Sequence, residues 1–174
     1  MNIDISKNAE KAYRAGVFME AARLYQEAAN EAIKLDDPLR AAELKNNSSV
    51  AFLQAADAAS ALNAAMDTDK TFAQAGDIKR QAMALGNQAS ALEALGRLKE
   101  ALLAYQTASD LLKSINETEL RSYVLKNLSS IQLRTGNQLE ALATMQAALD
   151  TQKKLSVRQR LLKKLLDIPF KMWR

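Results

Sequence analysis

The sequence repeats itself every 40 residues, and this period limits the fold more than any other feature. A small or turn-forming residue recurs at one position of the repeat: Gly16, Ala56, Gly96 and Gly136. Five positions later an alanine recurs in all four copies: Ala21, Ala61, Ala101 and Ala141. The period does not slip, so it defines four copies of one unit. Such a period is typical of arrays in which each unit stacks on its neighbours.

Each unit is predicted to form two helices joined by a turn. The chain has five glycines, two prolines and 5% aromatic residues, which favours helix over sheet. The Gly column suits the left-handed backbone that ends a helix, and Pro38 suits a first helical position. Turn and cap residues at Asp37, Gly76 and Asn116 open the next units. The sequence therefore predicts an all-α chain with repeats at about 2–36, 37–76, 77–116 and 117–154.

The pattern resembles the tetratricopeptide repeat (TPR) family over roughly residues 2–154. The resemblance is closest in GRLKEALLAYQTASDLL (96–112), where the turn glycine is followed by the spaced Ala, Tyr and Ala of a second helix. The chain departs from the family in lacking an early aromatic and a closing proline, and its repeat exceeds the usual 34 residues. HEAT repeats have a similar length, but the first helices here show no proline kink. The resemblance implies a right-handed α-solenoid that binds other proteins.

An asparagine column runs through the first helix of three repeats, at Asn47, Asn87 and Asn127, with Lys7 in the remaining repeat. Asparagine is a mediocre helix former, so its recurrence there is notable. A carboxamide carries both a donor and an acceptor and can pair with both halves of a peptide unit. One such group per repeat can hold an extended peptide by its backbone. The alternative is that these are ordinary solvated residues inherited from a duplicated unit.

The column resembles the asparagine ladder of kinesin light chains and of spindle-orientation adaptors, which grip extended peptides. In TPR stacks the first helices line the inner wall, so the resemblance implies a peptide-binding surface there. By register this surface adds the following residues: Val50, Leu53, Met83, Ser90, Tyr123, Lys126, Ser130 and Arg134. The carboxylate clamp of chaperone-binding family members is not expected, because Ser6, Glu10 and Met83 occupy three of its positions.

The C-terminal segment, residues 155–174, is predicted to be a basic amphipathic helix and tail. Residues 152–174 hold eight Lys and Arg against one acidic residue, whereas residues 1–151 hold 16 against 19. Ser156 is a good N-cap, and we expect Pro169 to end the helix. The apolar stripe of this segment consists of Leu161, Leu162, Leu165 and Leu166.

Three interpretations of this segment remain open. As a capping helix, it covers the last apolar face of the array, for which terminal repeats are adapted. As a basic amphipathic element, it contacts an anionic membrane or an acidic partner. The residues for that role are Lys163, Lys164, Phe170, Lys171, Trp173 and Arg174. In the third interpretation the leucine stripe mediates self-association, and we expect a monomer or a weak homodimer.

Composition argues against several kinds of site. The chain has no cysteine and no histidine, which removes thiolate ligands and the commonest general base. No glycine-rich phosphate loop or calcium loop is present, and aromatic and basic residues do not interleave as in nucleic-acid binders. We therefore expect no catalytic residue, cofactor, metal or nucleic-acid partner. The N-terminus lacks the apolar core of a secretion signal, so we expect a cytoplasmic protein.

The sequence thus favours a non-catalytic adaptor that binds an extended segment of a partner protein or peptide. The alternative is a peripheral membrane or assembly factor that acts through its basic C-terminal segment. A repeat scaffold serves many processes, so the fold does not name the partner.

Overall fold

The computed structural model of the chain describes residues 5–152 and 155–172, with side chains through residue 165. Within these residues the chain is helical and contains no strand, which confirms the predicted all-α class. The helices are α1 (Ile5–Arg14), α2 (Phe18–Lys34), α3 (Pro38–Gln54), α4 (Ala58–Ala65), α5 (Thr68–Gln74), α6 (Ile78–Ala94), α7 (Leu98–Ser114), α8 (Thr118–Arg134), α9 (Gln138–Asp150) and α10 (Val157–Met172).

A left-handed backbone position recurs every 20 residues and sets the helix boundaries. The positions with positive φ at these turns are Gly16, Asp36, Ala56, Gly76, Gly96, Asn116 and Gly136. Each turn is closed by a backbone N–H that bonds a carbonyl five residues earlier, as from Val17 to Ala12 over 2.9 Å. The predicted Gly column is confirmed as a turn. This column marks the turn within each repeat, and the turns between repeats have the same left-handed geometry.

Aspartate side chains fix the starts of three helices. The Oδ1 atoms of Asp37, Asp57 and Asp77 each accept a hydrogen bond from the backbone N–H three residues later, over 2.9 to 3.0 Å. Each bond satisfies one of the first N–H groups of a helix, which have no partner within the helix itself. Pro38 occupies the first turn of α3, as predicted.

One helix departs from the predicted pair, because residues 58–74 form α4 and α5 instead of a single helix. The break lies at Met66 and Asp67, and Asp67 has a left-handed φ of 62°. The hydroxyl of Thr68 donates to the carbonyl oxygen of Ala65 over 2.7 Å. Aspartate and threonine form such local bonds readily and are weak helix formers, which accounts for a break in the sequence MDTD. The prediction of two helices in this repeat was therefore wrong.

The chain divides into two compact units, Met1–Ala104 and Tyr105–Arg174, and the boundary falls within α7. In the first unit α2 packs against α1 and α3, and α3 also packs against α4, α5 and α6. Alanines of the predicted small column, including Ala21 and Ala61, are fully buried. Small side chains allow the helices to approach closely, and the larger Leu44 and Phe52 fill the remaining space.

The second unit is built on the pairing of α8 with α9. Leu128, Ile131 and Leu149 are buried there. The hydroxyl of Ser129 donates to the carbonyl of Ala141 over 2.8 Å. Small hydroxyl side chains thus join helices by bonding backbone carbonyls of the neighbouring element, which satisfies polar groups in a tightly packed contact.

Helix α10 begins as predicted and ends later than predicted. Ser156 and Gln159 form a reciprocal cap, in which each backbone N–H donates to the other residue's side-chain oxygen. The helix continues through Pro169 to Met172, so the expectation that Pro169 ends it was wrong. A proline removes one backbone hydrogen bond and crowds the preceding turn, but only three helical residues follow it here.

Candidate functional site

The predicted asparagine column lies on three half-buried positions of α3, α6 and α8. Asn47 and Asn87 belong to the first unit and Asn127 to the second. Asn87 donates from Nδ2 to Oδ1 of Asn46 over 3.3 Å, which leaves its own carbonyl oxygen outside that bond. Within the described part of the chain, the carboxamides of Asn47 and Asn127 make no hydrogen bond to the protein. These two groups are therefore available to a ligand.

A cleft of about 390 Å³ lies between α1, α2 and α3 in the first unit. It is lined by residues of α1 and α3, the first helices of the first two repeats, and by one buried residue of α2. The lining residues are Ser6, Glu10, Tyr13, Tyr25, Arg40, Glu43, Leu44, Asn47 and Val50. Two of the predicted peptide-binding residues, Asn47 and Val50, thus lie in one cavity.

Charged side chains at this cleft are paired with neighbours. Arg40 donates from Nη2 to the hydroxyl oxygen of Ser6 over 3.1 Å and lies 3.1 Å from a carboxylate oxygen of Glu43 through Nη1. Glu10 forms an ion pair with Arg14 one helical turn further on. These pairs join residues that are substantially exposed, so water and salt screen them strongly.

Tyr25 forms part of the cleft wall and was missed as a site residue by sequence reasoning. Its side chain is 8% exposed, and the sequence marked it only as a packing residue of the second helix. Burial, followed by the negative charge of Glu10, raises the pKa of its phenol above the ordinary value. Its residue type could have drawn attention to it, because a tyrosine on a buried helix face usually needs a hydrogen-bond partner for its hydroxyl.

The other predicted residues of the first unit lie outside the cleft lining. Lys7 is exposed on α1, and Leu53 packs against the buried core. Met83 is 46% exposed on α6. The hydroxyl of Ser90 donates to the carbonyl oxygen of Gly86 over 3.0 Å, one turn earlier in the same helix. Of these four residues, Met83 offers the largest apolar surface to a ligand.

The predicted residues of the second unit all lie on α8. Tyr123, Ser130 and Arg134 are exposed, whereas Lys126 is half-buried beside Asn127. Their spacing of three, four and seven residues puts them on one face of the helix. This face presents an aromatic ring, a carboxamide and two cations.

A polar cluster behind Asn87 depends on the break between α4 and α5. Asn46 is 8% exposed, and its Oδ1 lies 3.4 Å from the Thr68 hydroxyl as well as accepting from Asn87. Gln88 donates from Nε2 to the Ala65 carbonyl over 2.9 Å and to Asp69 over 2.7 Å. The break therefore presents polar groups of α5 to α3 and α6, and these bonds hold Asn87 in place.

The C-terminal helix contacts the end of α9 and the residues just after it through polar groups. Gln159 donates to Gln152 over 3.0 Å, and Lys163 forms an ion pair with Asp150. The predicted capping stripe is largely uncovered, since Leu161 is 61% and Leu165 is 55% exposed. Lys164 is also exposed. The side chains of Leu166, Phe170 and Lys171 are not described. Trp173 and Arg174, the last two predicted tail residues, lie outside the described residues.

Two further kinds of site are absent from the described part of the chain. No group of three or more acidic, histidine or cysteine side chains comes together there in a way that could hold a metal ion. None of the described helices is long and apolar enough to cross a membrane.

Comparison with known proteins supports the fold and goes no further. No protein-family model and no curated protein matches the sequence. Among solved structures, the chain is similar to the crystal structure of BtubC (BKLC) from P. vanneervenii, with a TM-score of 0.77 and 18% sequence identity. The match covers 93% of this chain and 70% of that chain. At this identity the likeness shows a shared helical repeat fold of the TPR type.

Proposed function

We propose that this protein is a non-catalytic cytoplasmic adaptor that binds an extended segment of a partner protein along the first helices of its repeats. A TPR-like repeat fold suggests a protein-interaction scaffold in general. The observation that carries the finer proposal is Asn47, whose carboxamide makes no bond to the protein within the described residues and lines a cleft. Such a half-buried carboxamide can bind a ligand that supplies both a hydrogen-bond donor and a hydrogen-bond acceptor.

The peptide backbone is the natural ligand for such a group, because each peptide unit offers one N–H and one carbonyl. Asn47 on α3 and Asn87 on α6 supply carboxamides from successive repeats of the first unit, and Asn127 supplies one in the second. Each bond contributes about 0.5–1.5 kcal/mol net. Bonds of this strength give modest affinity with little dependence on side chains, so selectivity has to come from neighbouring pockets.

The test is a comparative pull-down from the lysate of the native host. The bait is either wild type or Asn47→Ala/Asn87→Ala/Asn127→Ala. The matched control is Asn8→Ala/Asn30→Ala/Asn63→Ala, which removes the same three groups from exposed helical positions. We expect partners to be lost with the first triple variant and retained with the second. Equal loss or equal retention by both variants would contradict the proposal, provided that their helicity matches that of wild type.

A second candidate function uses α10, and the exposure of its apolar face favours it. Val157, Leu161 and Leu165 are spaced by four residues and lie on one helical face, which is more than half exposed at each position. Arg158, Arg160 and Lys164 are exposed beside this face. A helix with an apolar face flanked by cations binds at the surface of an anionic membrane.

Cosedimentation with phosphatidylcholine vesicles that contain phosphatidylserine tests this second function. We expect Arg158→Gln/Arg160→Gln/Lys164→Gln to abolish binding. The control Arg23→Gln/Lys34→Gln/Lys113→Gln removes the same charge from exposed positions elsewhere and is expected to keep it. If wild type fails to sediment with these vesicles, the membrane role is wrong.

A further inference from the structure

The cleft between α1, α2 and α3 contains a tyrosine hydroxyl that makes no hydrogen bond to the described residues. Tyr25 lines the cleft and is 8% exposed as a whole residue, and its phenolic hydroxyl makes no hydrogen bond within the described residues. A phenolic hydroxyl can both donate and accept a hydrogen bond, so this group can bond water or a ligand. Because Tyr25 lines the cleft, a ligand group bound there can form a hydrogen bond with its hydroxyl.

The charges that line the cleft favour a positively charged ligand group. Glu10, Glu43 and Arg40 line the cleft, so its wall holds two carboxylates and one guanidinium, and Arg14 is paired with Glu10 beside it. Arg40 already bonds Ser6 and Glu43. The pairs that Glu10 and Glu43 form on their own helices are exposed, and exposed pairs are weak enough to be exchanged for a ligand cation.

The rest of the lining suits the stem of a long side chain. Leu44 and Val50 give the cleft an apolar wall, and the rings of Tyr13 and Tyr25 add aromatic surface. Lysine and arginine carry aliphatic stems that pack on such surfaces while their charged ends reach polar groups. Aromatic faces also attract cations directly. The Asn47 carboxamide lies at the same cleft, where it can hold the backbone of the residue that inserts.

We propose that this cleft binds a lysine or arginine side chain of the partner's extended segment, with the cationic group between Glu10, Glu43 and the hydroxyl of Tyr25. This proposal rests on the proposed adaptor function and names the chemistry of its ligand. Backbone capture by Asn47 sets where the segment lies, and the cleft selects which residue lies there.

The test uses three blocked pentapeptides, Ala-Val-X-Val-Ala, in which X is arginine, glutamine or glutamate. Each peptide is titrated into the isotopically labelled full chain, and the backbone amide signals of Glu43, Asn47 and Asn87 are followed by NMR. We expect the arginine peptide to shift these signals at a concentration at least several-fold lower than the glutamine peptide does. The glutamate peptide is expected to bind most weakly, and added salt is expected to reduce the difference.

Two variants test the residues that form the pocket. Glu10→Gln/Glu43→Gln is expected to remove the preference for arginine, whereas the control Glu27→Gln/Glu31→Gln, on exposed positions of α2, is expected to keep it. Tyr25→Phe keeps the ring and removes the hydroxyl, and we expect several-fold weaker binding. The control Tyr105→Phe removes a buried hydroxyl from the second unit and is expected to leave arginine binding unchanged.

The outcomes separate this proposal from the function on which it rests. Equal binding of the three peptides at Asn47 would overturn the cation pocket and leave backbone capture intact. A preference for arginine that survives Glu10→Gln/Glu43→Gln would also overturn it. If none of the peptides shifts the signals of Asn47 or Asn87, both the pocket and the adaptor function in this unit are wrong.

Discussion

Asn87 on α6 donates a hydrogen bond from Nδ2 to Oδ1 of Asn46 on α3, over 3.3 Å. The bond joins a residue of the predicted binding column to a buried residue of the preceding repeat. Asn46 and Asn47 are adjacent in sequence, yet Asn46 is buried within this cluster and Asn47 faces the cleft. One asparagine therefore has a structural role, and the other is free to have a binding role.

This difference predicts opposite effects of two neighbouring substitutions. Asn46→Ala removes the acceptor used by Asn87 and leaves buried polar groups unpaired, so we expect a loss of about 1–3 kcal/mol in the free energy of unfolding. Asn47→Ala is expected to change it by less than about 0.5 kcal/mol, since the side chain makes no bond to the described protein. Urea denaturation followed by circular dichroism measures both. Equal costs would contradict the assignment.

The turn at Ala56 is predicted to be a point of backbone strain. Ala56 has a φ of 61°, in a conformation that costs an L-residue about 1–2 kcal/mol and glycine very little. Ala56→Gly should therefore raise the free energy of unfolding by about 1 kcal/mol. Thermal and urea denaturation would show this as a higher midpoint.

Gly96 supplies the reverse substitution at the equivalent turn. Its φ is 75°, and a Cβ added there would meet no atom within 4 Å, so Gly96→Ala introduces backbone strain without a clash. We expect a loss of about 1 kcal/mol. Stabilisation by Gly96→Ala, or destabilisation by Ala56→Gly, would show that these turns do not need the left-handed conformation.

The cap at Asp77 is predicted to make stability depend on pH. Its carboxylate accepts from the backbone N–H of Arg80, which together with the Arg80 side chain lowers the pKa of Asp77. A carboxyl whose pKa is lower in the folded state stabilises the fold above its unfolded pKa of about 3.9. That contribution is lost as the pH falls through the lower, folded value.

Asp77→Ala should therefore cost about 1 kcal/mol at neutral pH. The difference between this variant and wild type should shrink in urea denaturation carried out well below about pH 4. Asp77→Asn keeps a capping oxygen without a titrating charge, so it should cost less than Asp77→Ala at neutral pH, and its difference from wild type should change over the same pH range. A cost of Asp77→Ala that stays constant down to low pH would contradict the role of the carboxylate.

The exposed face of α10 predicts that two leucines can be made polar without loss of stability. We expect Leu161→Gln/Leu165→Gln to change the free energy of unfolding by less than about 1 kcal/mol, because both side chains are mostly in water. Leu149→Ala, in the buried contact of the same unit, should cost about 2–5 kcal/mol. A large loss from the leucine pair would mean that this face caps the repeats.

Periodicity and turn chemistry accounted for most of the fold. The Gly column, the proline in the first turn of α3 and the buried alanines at 21 and 61 each follow from local rules that a single sequence displays. The break at Asp67 was missed because the 40-residue register runs through it without an insertion. The left-handed backbone at Asp67 and the bond from Thr68 to Ala65 mark the interruption in the structure.

The binding site was less predictable, because it depends on contacts between helices. Register alone placed Asn47 and Val50 on one face, and the structure puts both in one cleft. Register could not show that Tyr25 of α2 reaches this cleft, or that Asn46 engages Asn87. Such pairings depend on how far neighbouring helices are offset and rotated relative to each other. The hydrophobic pattern of the sequence determines neither the offset nor the rotation.

The most direct measurement of the central claim is photo-crosslinking from the proposed binding face. A benzoylphenylalanine replaces Met83 on α6 or, as a matched exposed methionine on a second helix, Met19 on α2. We predict that position 83 crosslinks to one extended segment of a captured partner, and that position 19 does not. Crosslinks from position 19 to the same segment, or none from position 83 while the partner stays bound, would contradict binding along the first helices.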